Sequence, residues 1–299
     1  FCGFRWLKDD SLTVTAVTLI LTSALIHAIW NLMAKRAGGG GAAFVWLFTG
    51  CGSALLWPIA IYVWLNRQAD IGWTGAGFIC GTAVLHLLYF LVLQRGYRSG
   101  DLSLVYPLAR GTGPTLSTIL AVMILGERPS VATAFGLVLV VAGVVLLTWR
   151  RGPRESDEKT RSAIKWGLLC GVGIATYSVW DKYAVSEAGV PPILLELFTN
   201  LGVCLMLTPH VLSRKDEVRR VWKEHRREVI GVAILAPLSY IMILTAMSFT
   251  PLSSVAPARE ISILFGAVLG ARFLGEEHTT RRLIAAGLMV SGVVLLAFG

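Results

Sequence analysis

Arg110, Arg259 and Glu260 are ionisable side chains set in long stretches that otherwise hold no charge, Leu102 to Gly126 for the first and Val229 to Ala271 for the other two. A guanidinium offers planar, paired donors that fit a carboxylate or phosphate. Two of them facing one space would form a cationic clamp for an anionic or zwitterionic solute. The spacing also allows a second arrangement. Arg110 follows Pro107 by three residues and Glu260 follows Pro257 by three, so by helical phase Arg110 corresponds to Glu260 and not to Arg259. If those two meet, they form a buried ion pair that locks two helices together. Both arrangements stay open on sequence alone.

Further polar groups recur at helical spacing. His27 and Asn31 share a face at i, i+4, as do Tyr177 and Asp181, with Trp30 and Trp180 beside them as flat apolar or cation-π surfaces. Lining a cavity is the reading for the two Trp, and interfacial anchoring the reading for Lys182. His86 and Tyr89 share a third face, where His86 either relays protons or bonds a neighbouring helix; for a lone His the second is favoured. Glu196 lies four residues before Asn200 without an opposite charge nearby. With Glu260 and Asp181 it makes the set of candidate proton-coupling sites, because a carboxylate in dry surroundings is the kind of group that proton coupling requires. Pro107, Pro114 and Pro257 are expected to interrupt the hydrogen-bond ladders near these residues. Five scattered His, five Cys without a CxxC, and no GxSxG, HExxH or phosphate loop leave no expectation of a metal, a cofactor, a disulfide, a catalytic constellation or ATP drive.

The elements that position these groups follow from composition. With 299 residues, 55% hydrophobic and 15% charged, and a mean hydropathy of +0.67, the chain has more apolar side chain than a soluble core of this size can hide. The runs lack strict alternation, so they are membrane-spanning helices and not barrel strands. A span needs about 20 residues, and the chain divides into ten: 12–34, 42–65, 72–94, 102–125, 130–149, 164–186, 192–213, 229–249, 252–274 and 280–298. At 1.5 Å per residue, Arg110, Arg259 and Glu260 lie roughly 12 Å deep, close to the midplane, where an ionised group costs at least about 2.5 kcal/mol and marks a functional candidate. The net charge of +9 sits in short clusters between spans, a topology signal and not a nucleic-acid surface. Lys35, Arg36, Arg95, Arg98, the 150–161 linker, Arg214 to Arg227, Arg281 and Arg282 fall on one side. Only Arg5, Lys8, Arg67 and Arg128 fall on the other, which places both termini outside. Residues 1–10 read as a fragment of a leader or of added sequence.

Sliding the chain by 150 residues sets His27-Ala28-Ile29-Trp30-Asn31 over Tyr177-Ser178-Val179-Trp180-Asp181 and Val105-Tyr106-Pro107 over Val255-Ala256-Pro257. After a one-residue slip it sets Leu125-Gly126-Glu127 over Leu274-Gly275-Glu276 and Gly143-Val144-Val145-Leu146-Leu147 over Gly292-Val293-Val294-Leu295-Leu296. Residues 12–149 and 164–298 are therefore two five-helix repeats joined by a polar linker at 150–163. An odd helix count per repeat inverts the second against the first.

This combination resembles the EamA-type transporters of the drug/metabolite transporter superfamily. The resemblance implies an all-α membrane protein whose ten helices form two inverted repeats, with helices one to four of each around a central cavity and the fifth peripheral. It implies a secondary transporter of small organic metabolites, often an exporter and often exchanging protons, in the bacterial inner membrane. Relatives are commonly drawn with cytoplasmic termini, from which the charge count departs. A membrane-embedded enzyme and a non-transporting scaffold are the alternatives. Leu-Gly-Glu is read as a helix stop whose acidic group favours the start of the next helix. Ala132 with Gly136, and Gly287 with Ser291, are read as small-xxx-small packing within a monomer or a weak homodimer.

Overall fold

The computed structural model describes residues 13–37, 41–67, 71–99, 102–148, 157–265 and 280–298. The first twelve residues, the linker at 149–156, the Leu274-Gly275-Glu276 turn and the side chains of Tyr106 and Pro107 lie outside them. The described residues form ten helices and no strand: α1 (Val14–Arg36), α2 (Ala42–Arg67), α3 (Gly72–Ser99), α4 (Leu102–Ile124), α5 (Val131–Thr148), α6 (Asp157–Ser186), α7 (Pro192–Leu212), α8 (Lys215–Phe249), α9 (Leu252–Ala258) and α10 (Thr280–Phe298). Among them α1, α2, α7 and α8 are each long and apolar enough to cross a membrane unaided, and α5 and α10 hold shorter apolar stretches.

Boundaries shift where polar sequence is helical outside the apolar run. α6 begins at Asp157 and so takes in half of the expected linker. α8 begins at Lys215, bends at His225 (φ −128°, ψ 25°), and only then continues as the expected span. α4 continues as one helix through Pro107 and Pro114, each of which has no N–H to give to the ladder. Near Pro257 the expected break does occur. α9 ends at Ala258, and Glu260, Ser262 and Ile263 bond three residues back instead of four, so Arg259 and Glu260 sit on a tightened turn before helix resumes over 261–265.

Packing joins the halves. α1 lies on α8 and α3 on α6, a pair of contacts exchanged by the internal repeat, while α2–α7, α4–α9 and α5–α10 match each helix with its own counterpart. The core accordingly mixes both halves: Ile20, Val140, Val144, Leu195, Ile243, Leu244, Leu252 and Met289 belong to one buried cluster. The fifth and tenth helices pair at one side of the bundle, in close contact at Gly136 and Gly292. A Cβ on Gly136 would stand 2.8 Å from the Gly292 carbonyl oxygen, and a Cβ on Gly292 would stand 2.7 Å from that of Gly136. Gly287 and Ser291 do not pack within the monomer: Gly287 has nothing within 4 Å of a Cβ, and Ser291 is exposed. The contact face is one residue further round the helix. Gly136→Leu should therefore force α5 off α10 and cost about 1–3 kcal/mol, read as loss of folded fraction in a denaturant titration. Gly287→Leu, the matched change on the open face, should leave the transition in place.

The Leu-Gly-Glu turn at 125–127 ends α4 as expected, with Gly126 at φ 68° and the Glu127 N–H closing on the Ala121 carbonyl at 3.2 Å. Its acidic group serves a different helix from the expected one. α5 starts under its own Ser130, whose Oγ accepts the Thr133 N–H at 3.0 Å. Glu127 instead accepts the backbone N–H groups of Leu252 (2.7 Å) and Ser253 (2.9 Å) at the start of α9, in the other half. Lys182 is likewise no interfacial anchor. It is 2% exposed and donates to the carbonyls of Met247 (2.6 Å) and Thr250 (3.0 Å), closing the end of α8.

Candidate functional site

Five helices bring polar groups together at the centre of the bundle. α3 supplies Thr82, His86 and Tyr89, which share a face at i, i+4, i+7; α6 supplies Tyr177 and Asp181; α8 supplies Tyr240; α4 supplies Arg110; the turn after α9 supplies Arg259 and Glu260.

Arg110 meets Glu260. Its Nη1 lies 3.2 Å from Oε2 and 3.3 Å from Oε1, with 14% of the Arg side chain and 3% of the Glu side chain exposed. This is the pairing that helical phase favoured. It is longer than the roughly 2.7–2.9 Å of a tight charge-assisted contact. The clamp of two arginines is thus not the resting arrangement, since Arg259 turns to Tyr177 and donates from Nη2 to its hydroxyl at 3.1 Å. The Tyr177 ring then lies edge-on to His86 (centroids 4.5 Å apart) and to Tyr89 (5.4 Å).

His86 is not a lone histidine. Its Nε2 stands 3.2 Å from Asp181 Oδ2, and Asp181 also accepts from Thr82 Oγ1 at 2.7 Å and from the Tyr240 hydroxyl. The Asp181 side chain is fully buried, whereas His86 keeps 14% exposure. Thr82 and Tyr240 were absent from the sequence expectations. Thr82 stands four residues before His86 and so shares its face, a usable signal; nothing in the sequence links Tyr240 to Asp181.

His27 belongs to the same centre, being close enough to Arg110 and Arg259 to feel both charges. Its ring lies edge-on to Trp30 at 4.7 Å, and its buried Nε2 has no partner among the described residues. The Trp30 indole N–H is in the same condition, although its ring packs with Phe44, Val229 and Val232. Buried polar atoms of this kind cost free energy unless something satisfies them.

Three candidates stand apart from the cluster. Asn31 is exposed and donates back to the His27 carbonyl at 2.7 Å. Trp180 is committed to α3, donating its indole N–H to the Phe78 carbonyl at 2.9 Å with its ring against Phe78. Glu196 is buried and accepts from Asn200 on its own helix at 2.7 Å. A separate groove of about 360 Å³ between α2 and α7 is lined by Trp57, Ile61, Trp64, Leu65, Leu197 and Phe198 and presents no polar group. The buried ionisable groups that contact one another between helices are thus those of the central cluster. No group of His, Cys, Asp and Glu among the described residues is arranged to hold a metal ion.

Comparison with known proteins gives a consistent result. The model of the EamA-like transporter family matches residues 14–149 and again 161–298. The multidrug resistance protein EbrB of Bacillus subtilis is 36% identical over 89 residues, 30% of this chain and 76% of that protein. An uncharacterized transporter of Archaeoglobus fulgidus is 25% identical over 210 residues, 70% of each chain. A solved crystal structure 18% identical in sequence superposes with a TM-score of 0.74, over 94% of this chain and 95% of that one, and shows the same fold.

Proposed function

Because this chain belongs to the EamA-like transporter family, we propose that it carries a small anionic or zwitterionic organic solute across the bilayer by alternating access of its two repeats, 12–149 and 164–298. It is an integral, multi-pass membrane protein of the drug/metabolite transporter type. The observation that supports this choice of solute is the central cluster itself. It holds a loose ion pair formed between the halves, Arg110 with Glu260, beside a buried His27 nitrogen without a partner among the described residues.

A zwitterion can exchange partners with such a pair, its carboxylate taking Arg110 and its ammonium taking Glu260, so that neither protein charge is left bare. Tyr89, Tyr177 and His86 offer ring faces and edges to the rest of the solute. Since Arg110 and Glu260 come from opposite halves, a solute between them is held by both, and movement of one half against the other changes the side from which it is reached. The likeness to EbrB, a multidrug resistance protein, supports outward movement, and buried Glu196, Glu260 and Asp181 supply candidate groups for proton exchange. The bacterial inner membrane is the setting that the Bacillus relative favours, with a monomer or a weak homodimer as the unit.

Proteoliposomes loaded with radiolabelled amino acids or small carboxylates provide the test. Efflux should exceed that of protein-free vesicles for at least one of the two classes and should respond to an imposed pH gradient. Absence of flux for both classes would remove the reading.

A further inference from the structure

We propose that Asp181, served by His86 and Tyr240, is the proton-binding site of the transport cycle, separate from the Arg110–Glu260 pair. The proposal rests on the transport reading above, and its support is the difference in company kept by the three buried carboxylates.

Glu260 faces Arg110, a guanidinium that never gives up its proton. Its charge is held fixed by a permanent cation. Glu196 is bonded to Asn200 on its own helix, so a proton there rearranges nothing between helices. Asp181 differs on both counts. Among the described residues its cationic partner is His86, whose own charge is removable. Its other donors, Thr82 and Tyr240, reach it from α3 and α8. One carboxylate thereby joins three helices.

The path of the proton is short. His86 retains 14% exposure while Asp181 has none, so a proton from water arrives at the imidazole first. It then passes from Nε2 to Oδ2 along the 3.2 Å contact, leaving a neutral ring and a neutral carboxyl. The carboxyl is now a donor as well as an acceptor, and it can no longer accept from His86, Thr82 and Tyr240 together as the carboxylate does. At least one bond to α3 or α8 must be released or reversed. Protonation thereby replaces charge-assisted bonds to α3 and α8 by weaker neutral ones.

The surroundings are defined on every side. α3 presents Thr82 and His86 to Asp181, and α8 presents Tyr240, whose hydroxyl is also 3.4 Å from His86 Nε2. α7 brings Glu196 within reach of its charge. Tyr177 of α6 lies against the His86 ring and carries Arg259 of α9 on its hydroxyl, and Arg259 is also within reach of Tyr240. Lys182, the next residue, is committed to the end of α8. Tyr177 therefore connects the protonated group to a guanidinium of the solute site.

The test needs no solute. The purified protein is acidified stepwise from about pH 8 to about pH 5, and the C=O stretch of protonated carboxyl groups is followed by infrared difference spectroscopy. Wild type should gain a band on acidification that Asp181→Asn lacks, with one fewer proton bound per chain. Tyr240→Phe and His86→Gln should keep the band and move its midpoint, which a merely structural role would leave alone. A band that persists in Asp181→Asn, or a wild type without an acid-induced band, overturns the proposal. If Asp181→Asn does not fold, an unmoved midpoint in both other variants overturns it equally. Vesicles without flux would defeat the transport reading and leave this titration unaffected, so the two failures are distinguishable.

Discussion

Replacing Arg110 by Gln should destabilise the protein by about 3–5 kcal/mol, because it leaves Glu260 as an uncompensated charge in a buried site. Glu260→Gln should also destabilise the protein, because it removes the carboxylate that Arg110 Nη1 meets at 3.2 Å. The double variant, Arg110→Gln with Glu260→Gln, should recover most of the loss, since two neutral amides can bond to each other where one charge cannot be left alone. Solute flux should remain absent in all three, because each removes at least one of the two charges that a zwitterion would engage. Denaturant titration of the purified variants measures the first effect, and vesicle efflux the second. A double variant no more stable than either single one would show that the 3.2 Å contact is incidental to the fold.

Glu127→Ala should produce the second large effect, although Glu127 lies at the end of the bundle and far in sequence from the helix it serves. Its two oxygens accept the first N–H groups of α9 at 2.7 and 2.9 Å, and net contributions of bonds to a charged acceptor are about 1.5–3 kcal/mol. The carboxylate also lies on the favourable end of the α9 dipole. A loss of about 3 kcal/mol is expected for Ala and a smaller one for Gln, which keeps one oxygen to accept a bond; thermal melting in detergent ranks them. A loss confined to Arg128→Ala, the exposed neighbour, would place the effect in the turn and not in the cap.

The architecture was legible because membrane spans announce themselves by length and apolarity, and because the copies repeat at nearly constant spacing. The Arg110–Glu260 partnership was one of two arrangements that the sequence left open, suggested by the shared helical phase of two residues at the same offset from a proline in the two copies. What the sequence could not show was pairing between helices that the internal repeat does not match. His86 and Asp181 are 95 residues apart, Tyr240 and Asp181 are 59 apart, and neither separation is the period of the duplication. Lys182 misled for a related reason. A lysine near a helix end ordinarily snorkels to the interface, and only the position of α8 shows that this one is enclosed by carbonyls. The cluster does form where the copies diverge, at His27 against Tyr177 and at Arg110 against Arg259 and Glu260, so divergence within a duplicated chain was the better guide to the site than similarity.

The carboxylate of Glu127 on α9 and the guanidinium of Arg281, which donates from Nε to the Leu146 carbonyl at the end of α5 at 2.7 Å, set a timetable for biogenesis. The first five helices leave the ribosome with α5 unfinished at its carbonyl end, with Glu127 lacking the amides it will hold, and with Arg110 still waiting for Glu260. None of these debts is settled until α9 and α10 have been inserted. A nascent chain halted after α7 should therefore be a substrate for membrane quality control and not a stable half-carrier.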